Sequence, residues 1–101
     1  MNDFELTLGF GTPAPNREMV RLREMLDEAG IKWQDASGGF FCRTQGPSAD
    51  IDDWQFSAVC GPYAYGEIEL WTQTMRDKKQ DPIGLSRAED AFMLIRAEVG
   101  E

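Results

Sequence analysis

The sequence contains no histidine, and this absence excludes much of the common chemistry of enzymes. Histidine is the usual general base near neutral pH, the partner of serine and cysteine nucleophiles, and a frequent zinc ligand. Long apolar runs are also missing, so no stretch reaches the length of a membrane span. The N-terminal residues lack the basic and apolar regions of a secretion signal, and we expect a cytoplasmic protein.

Cysteines and basic residues are few. Cys42 and Cys60 form no CxxC motif, and we expect buried free thiols, with a disulfide between neighbouring strands as the alternative. Ten lysines and arginines against eighteen acids give a net charge of −8. This charge repels nucleic acid and anionic membranes and favours basic protein surfaces as partners, so we expect no direct nucleic-acid binding.

The size and composition are those of one folded domain. The chain has 101 residues, of which 42% are hydrophobic and 11% aromatic. A chain of this length can bury a core without disulfides, but it cannot form two separate cores. We therefore expect a single domain over residues 1–101.

Hydrophobic periodicity predicts seven elements in the order β-α-β-β-β-β-α. Asn16 is expected to cap the first helix, Gly30 to end it, and Ser86 with Glu89 to form a capping box on the second. The predicted strands are residues 4–10, 31–35, 40–44, 54–60 and 63–74. This order indicates an α+β fold, a two-layer sandwich in which a mostly antiparallel sheet of about five strands carries two helices on one face.

The stretch between Arg43 and Arg76 contains acids but no lysine or arginine. On a strand, Glu67 and Glu69 would point the same way, about 6.6–6.8 Å apart. Carboxylates at such intervals on a rigid sheet can imitate a row of phosphates. The alternative is that they are solvated residues that keep the protein soluble. The acids of this stretch are Asp50, Asp52, Asp53, Glu67 and Glu69.

Aromatic residues lie in the same stretch. Tyr63 and Tyr65 occupy a glycine-flanked turn, and Trp71 shares the predicted face of the two glutamates. Aromatic rings among carboxylates suit an arginine- or lysine-rich partner, although burial in the core is the alternative for each ring. For Trp54 and Phe56 we expect burial in the core.

Neither a metal site nor a catalytic pair is expected. Counted from Asp50, a calcium loop would need glycine at position six and glutamate at position twelve, but Gln55 and Gly61 stand there. Glu67 and Glu69 on an open sheet face would lack the desolvation that acid catalysis by paired carboxylates requires. We therefore expect a protein that is not an enzyme and needs no cofactor.

Two segments resemble small proteins of bacterial phages and prophages. Residues 23–33 (REMLDEAGIKW) are a helix leading into a strand, and residues 56–67 (FSAVCGPYAYGE) are a strand followed by a glycine–tyrosine turn. The resemblance implies an origin on a mobile element and no catalytic residues. Small acidic accessory proteins of that kind include anti-CRISPR proteins, some of which block the DNA-binding surface of their target.

Charge and resemblance together lead to the hypothesis of a non-enzymatic, phage- or prophage-encoded inhibitor that acts as a DNA mimic. It would dock an acidic, aromatic face on a basic nucleic-acid-binding surface of a host defence complex, such as a CRISPR–Cas effector subunit. The alternative is a small self-associating scaffold, a homodimer through its sheet edge or aromatic face, without a nucleic-acid-related target. The candidate partner-binding residues are Asp50, Asp52, Asp53, Tyr63, Tyr65, Glu67, Glu69 and Trp71.

Overall fold

The computed structural model describes residues 14–46, 54–61 and 66–100. Within these ranges the chain forms five strands and three helices, which confirms the predicted α+β class. The elements in chain order are α1 (Arg17–Ala29), β1 (Gln34–Asp35), β2 (Cys42–Gly46), β3 (Phe56–Cys60), β4 (Ile68–Thr72), α2 (Gln73–Asp77), β5 (Ile83–Leu85) and α3 (Ala88–Val99). The strand predicted over residues 4–10 lies outside the described residues.

The strands form one antiparallel sheet in the order β1-β2-β3-β4-β5. Each strand pairs with its neighbour in sequence, as short connections between antiparallel strands favour. Cys42 lies opposite Cys60 in the β2–β3 pair, and Ala58 lies opposite Leu70 in the β3–β4 pair. β3 is therefore the central strand.

The helices α1 and α3 contact each other and also contact β3, so both lie on one face of the sheet. Their apolar residues recur at spacings of three and four, which places them on one side of each helix. The spaces between these helices and the sheet are filled by fully buried side chains such as Phe56. The core residues contributed by the two helices are Met19, Leu22, Leu26, Ala88, Ala91 and Ile95.

The ends of α1 follow the predicted local signals. The Oδ1 atom of Asn16 accepts a hydrogen bond from the backbone N–H of Met19 at 2.7 Å. Gly30 adopts the left-handed conformation (φ 74°), which lets its N–H reach the carbonyls of the last helical turn. Both predicted caps of α1 are confirmed.

The capping box predicted for the last helix is wrong. The residue at the N-cap is Arg87, which has extended backbone angles and no side-chain capping bond. The carboxylate of Glu18 on α1 instead accepts from the N–H of Ala88 at 2.8 Å. A side chain from the neighbouring helix, and not Ser86, therefore caps the start of α3.

The structure adds two short elements that the periodicity did not predict. α2 is capped by Thr72, whose Oγ1 accepts from the N–H of Met75 at 3.2 Å. β5 pairs with β4 and places Gly84 opposite Glu69. Elements of five and three residues are too short to show a repeat, since a hydrophobic period needs a longer window.

Candidate protein-binding face of the sheet

The candidate site lies on the face of the sheet that points away from α1 and α3, which we call the distal face. Side chains alternate between the two faces along a strand. Ile68 and Leu70 of β4 are fully buried in the core under the helices, so Glu69 and Trp71 point to the distal face. The residues of β2, β3 and β4 on the distal face are Arg43, Gln45, Ser57, Val59, Glu69 and Trp71.

Glu69 is a half-buried carboxylate near the middle of this face. It lies opposite Val59 on β3 and Gly84 on β5. Arg43 lies on the other side of Val59, two strands from Glu69, or about 9–10 Å at the usual strand spacing. The carboxylate of Glu69 has no ion pair or hydrogen bond with any described residue. Because Glu69 is half-buried, part of this charge lies at the surface, whereas Gln45, Ser57 and Val59 of the same face are buried.

Trp71 is held in place by a hydrogen bond and by a contact with a second aromatic ring. Its Nε1 atom donates to the backbone carbonyl of Gln80 at 2.9 Å. Its ring lies 5.8 Å from that of Trp54, measured between centroids, at an angle of 48°. Because Trp71 is only half-buried, this fixed ring presents part of its surface on the same side as Glu69.

Trp54 packs beside Trp71 and is 7% exposed. The guanidinium of Arg76 lies 4.4 Å from the centre of the Trp54 ring, a cation–π contact. Trp54 is thus buried, as expected, but it packs against Trp71 and Arg76 and does not belong to the core cluster beneath α1 and α3. Phe56, which was also expected in the core, is fully buried beneath the helices.

Glu67 and Glu69 were expected to point the same way from one strand, but Glu67 lies outside that strand. β4 starts at Ile68, so Glu67 precedes the strand. The side-chain Nδ2 of Asn16 donates to the backbone carbonyl of Glu67 at 2.7 Å and lies 3.5 Å from its Oε1. Glu67 also shares a surface depression with Arg17. The structure therefore places Glu67 beside the N-terminus of α1 and leaves Glu69 with Trp71.

The remaining candidate residues lie outside the described residues. They are Asp50, Asp52, Asp53, Tyr63 and Tyr65. All ten lysines and arginines, but only twelve of the eighteen acids, fall within the described ranges. Most of the net negative charge thus belongs to residues outside the described part of the chain.

Two polar side chains of the distal face, Arg43 and Gln45, were not selected from the sequence. Gln45 is only 1% exposed, and its Nε2 and Oε1 atoms have no hydrogen-bond partner among the described residues. The Nε atom of Arg43 is also buried, and within residues 14–46, 54–61 and 66–100 it has no hydrogen-bond partner either. Their alternation with Cys42 and Thr44 in the sequence predicts that Arg43 and Gln45 share one face of β2. Their burial, by contrast, depends on tertiary packing.

The two cysteines lie on the opposite, helix-covered side of the sheet. Cys42 and Cys60 are register partners on adjacent strands, and both are buried free thiols, as predicted. Burial raises the pKa of the Cys60 thiol, and the neighbouring Cys42 adds to this effect. A thiol with a raised pKa is a poor nucleophile at neutral pH, so Cys60 fits a structural role.

No cluster of three or more potential metal ligands occurs among residues 14–46, 54–61 and 66–100. In the same ranges, none of the helices has the length and apolar character needed to cross a membrane.

Comparison with known proteins found no matching protein family, no matching curated protein and no matching solved structure.

Proposed function

We propose that this protein is a non-enzymatic binding protein that docks Glu69 and Trp71 of the distal face onto a basic, nucleic-acid-binding surface of another protein. The observation that carries the proposal is the unpaired Glu69 carboxylate beside the immobilised ring of Trp71. Both side chains stand on one strand, about 6.6–6.8 Å apart at their backbone positions.

An arginine of the partner fits this pair of groups. A guanidinium can form two parallel hydrogen bonds with a carboxylate, and it also stacks on an indole ring. Glu69 and Trp71 stand on β4, which is paired on both sides, so little backbone entropy is lost when they bind. The net charge of −8 would accelerate association with a basic surface and would make it sensitive to salt.

The proposed target is the nucleic-acid channel of a host defence complex, such as a CRISPR–Cas effector. This part of the proposal depends on the resemblance of residues 23–33 and 56–67 to phage and prophage proteins. A protein that occupies such a channel competes with DNA for the same basic residues. The target should therefore bind either this protein or DNA, but not both at once.

The test compares two charge reversals. Glu69→Lys places a positive charge against the partner's basic surface, whereas Glu28→Lys makes the same change on the exposed end of α1. The protein would be immobilised, and proteins captured from a bacterial host lysate would be challenged with duplex DNA. We expect DNA to displace the captured target, and Glu69→Lys to weaken its binding at least about 30-fold, as for the loss of a desolvated charge pair.

Two results would contradict the proposal. One is capture that duplex DNA and raised salt leave unchanged, because the electrostatic contact would then be absent. The other is an equal effect of Glu69→Lys and Glu28→Lys, because the distal face would then have no special role.

A further inference from the structure

Cys42 and Cys60 form the last pair of the β2–β3 ladder. β2 begins at Cys42 and β3 ends at Cys60, and the two residues lie directly opposite each other. In antiparallel strands, the Cα atoms of such a pair are about 4.5–5.5 Å apart, and both side chains point to the same face. A disulfide needs a Cα separation of about 4.4–6.8 Å. The strands therefore already hold the two cysteines at a distance that a disulfide can span.

A guanidinium lies against this pair of thiols. The Nη2 atom of Arg23 donates to the Sγ atom of Cys42 at 3.5 Å. Burial raises the pKa of the Cys60 thiol, and the positive charge of Arg23 opposes this rise. A neighbouring cation stabilises the negative charge that develops on a cysteine sulfur when it attacks an oxidant, and such a cation is typical of reactive cysteines. The cluster thus combines two facing thiols with one positive charge.

Arg23 is fixed at this place by several contacts. Its Nε atom donates to Thr44 Oγ1 at 2.6 Å, and its Nη2 atom lies 3.6 Å from the carboxylate of Asp35. Its guanidinium also lies 4.8 Å from the centre of the Trp33 ring, a cation–π contact. Only 15% of the Arg23 side chain is exposed, so its charge stays beside the Cys42 sulfur.

Access to the thiols requires local opening of the strand ends. Cys42 is 1% exposed and Cys60 is 3% exposed. Because the two residues terminate the ladder, they can separate while the pairs in the middle of the sheet stay formed. Such local opening costs less free energy than unfolding of the whole domain. A small, uncharged oxidant such as hydrogen peroxide suits an opening of this size.

We propose that Cys42 and Cys60 are a reversible oxidation site, at which hydrogen peroxide forms a cross-strand disulfide with the help of Arg23. The sulfur of Cys42 attacks one peroxide oxygen, the O–O bond breaks, and the thiol proton leaves with the other oxygen as water. This step converts Cys42 to a sulfenic acid. The sulfur of Cys60 then attacks the sulfur of Cys42, the S–O bond breaks, and the Cys60 proton leaves with the hydroxyl group as a second water. The two thiols lose two electrons in total, and the peroxide gains them.

The position of Cys60 opposite Cys42 favours a disulfide over further oxidation. A sulfenic acid that meets a thiol condenses with it, whereas an isolated one is oxidised by more peroxide to an irreversible sulfinic acid. A dithiol reductant restores both thiols by exchange, so the modification is reversible.

The oxidation site does not depend on the proposed function. Both thiols belong to the core on the helix-covered side of the sheet, whereas Glu69 and Trp71 point to the distal face. Failure of the disulfide to form would therefore leave the proposed docking surface unaffected, and loss of docking would leave the oxidation site unaffected.

Peptide mapping of the full chain tests the site. The reduced protein would be treated with hydrogen peroxide, its remaining thiols blocked, and the chain digested with trypsin without reduction. Because trypsin cleaves after lysine and arginine, the two cysteines fall in separate peptides, residues 33–43 and 44–76. We expect a species that joins these two peptides and that dithiothreitol separates. Thiols that stay free at a peroxide concentration that oxidises the urea-unfolded chain, or a disulfide that joins two chains, would overturn the proposal.

Variants test the roles of the individual residues. Cys60→Ser should stop the reaction at the sulfenic acid of Cys42, which dimedone would trap. Arg23→Gln should slow disulfide formation at least about tenfold, and Arg23→Lys should keep most of the rate because it keeps the charge. Arg21→Gln is the matched control, since Arg21 lies on the same helix but pairs with Glu89. Circular dichroism would confirm that the variants fold. Equal rates in folded Arg23→Gln and Arg21→Gln would overturn the part assigned to Arg23.

Discussion

Replacement of Gln45 by methionine should stabilise the protein, although it removes two polar atoms from β2. Gln45 is 1% exposed, and neither polar atom of its amide has a hydrogen-bond partner in the part of the chain that the structure describes. A buried polar group without a partner costs about 1–3 kcal/mol, because it loses its bonds to water and gains none in return. Methionine has nearly the same length and shape as glutamine. We therefore expect the free energy of unfolding to rise by about 1–3 kcal/mol.

Urea denaturation followed by far-UV circular dichroism measures this change, and an unchanged m-value would show that both chains unfold from equally compact states. The melting temperature should rise by about 4–8 °C for each kcal/mol in a domain of this size. Gln45→Glu should have the opposite effect, because it buries a carboxylate without a partner. Gln80→Met, at an exposed position, serves as the control and should change stability by less than about 0.5 kcal/mol. A Gln45→Met protein that is no more stable than the wild type would refute the reasoning.

Three further predictions concern packing, pH and thiol reactivity. Gly46→Ala should lower the free energy of unfolding by about 1–3 kcal/mol, because the added Cβ would lie 2.4 Å from a backbone oxygen. Gly38→Ala is the control: its Cβ would meet nothing within 4 Å, and its stability in the same urea denaturation assay should equal that of the wild type. The hydrogen bond from the Ser37 hydroxyl lowers the pKa of Asp35. The wild type should therefore lose stability relative to Asp35→Asn as the pH falls from about 5 towards 2. If the melting temperatures of the two proteins fell by equal amounts over this range, the prediction would be contradicted. Because burial raises the pKa of Cys60, a disulfide-exchange reagent should label the native chain far more slowly than the urea-unfolded chain. The unfolded chain should show two free thiols, and a count below two would indicate a disulfide.

The first helix could be predicted because all its signals are local. The cap at Asn16, the apolar spacing and the left-handed Gly30 lie within fifteen residues of one another, and each acts through bonds inside its own helix. The start of α3 could not be predicted in the same way. Its first free N–H is bonded by Glu18, a residue 70 positions earlier, and this contact exists only once α1 and α3 have packed together.

The candidate site was predicted in part for the same reason. Alternation along β4 was enough to place Glu69 and Trp71 on one face, since a strand repeats every two residues. The location of Glu67 depends on where the strand begins and on the hydrogen bond from Asn16, which lies 51 residues away in the chain. The burial of Gln45 likewise depends on tertiary packing.

The amino-acid sequence by itself determined the net charge, the lack of histidine, the limits of α1 and the alternation of each longer strand, because composition and short-range periodicity need no knowledge of distant contacts. Only the tertiary structure decided that Cys42 faces Cys60, that Glu67 lies beside the N-terminus of α1 and apart from Glu69, and that α3 leaves Met93 exposed. These features depend on strand register and helix packing, which are set jointly by residues far apart in the chain, so no local pattern specifies them.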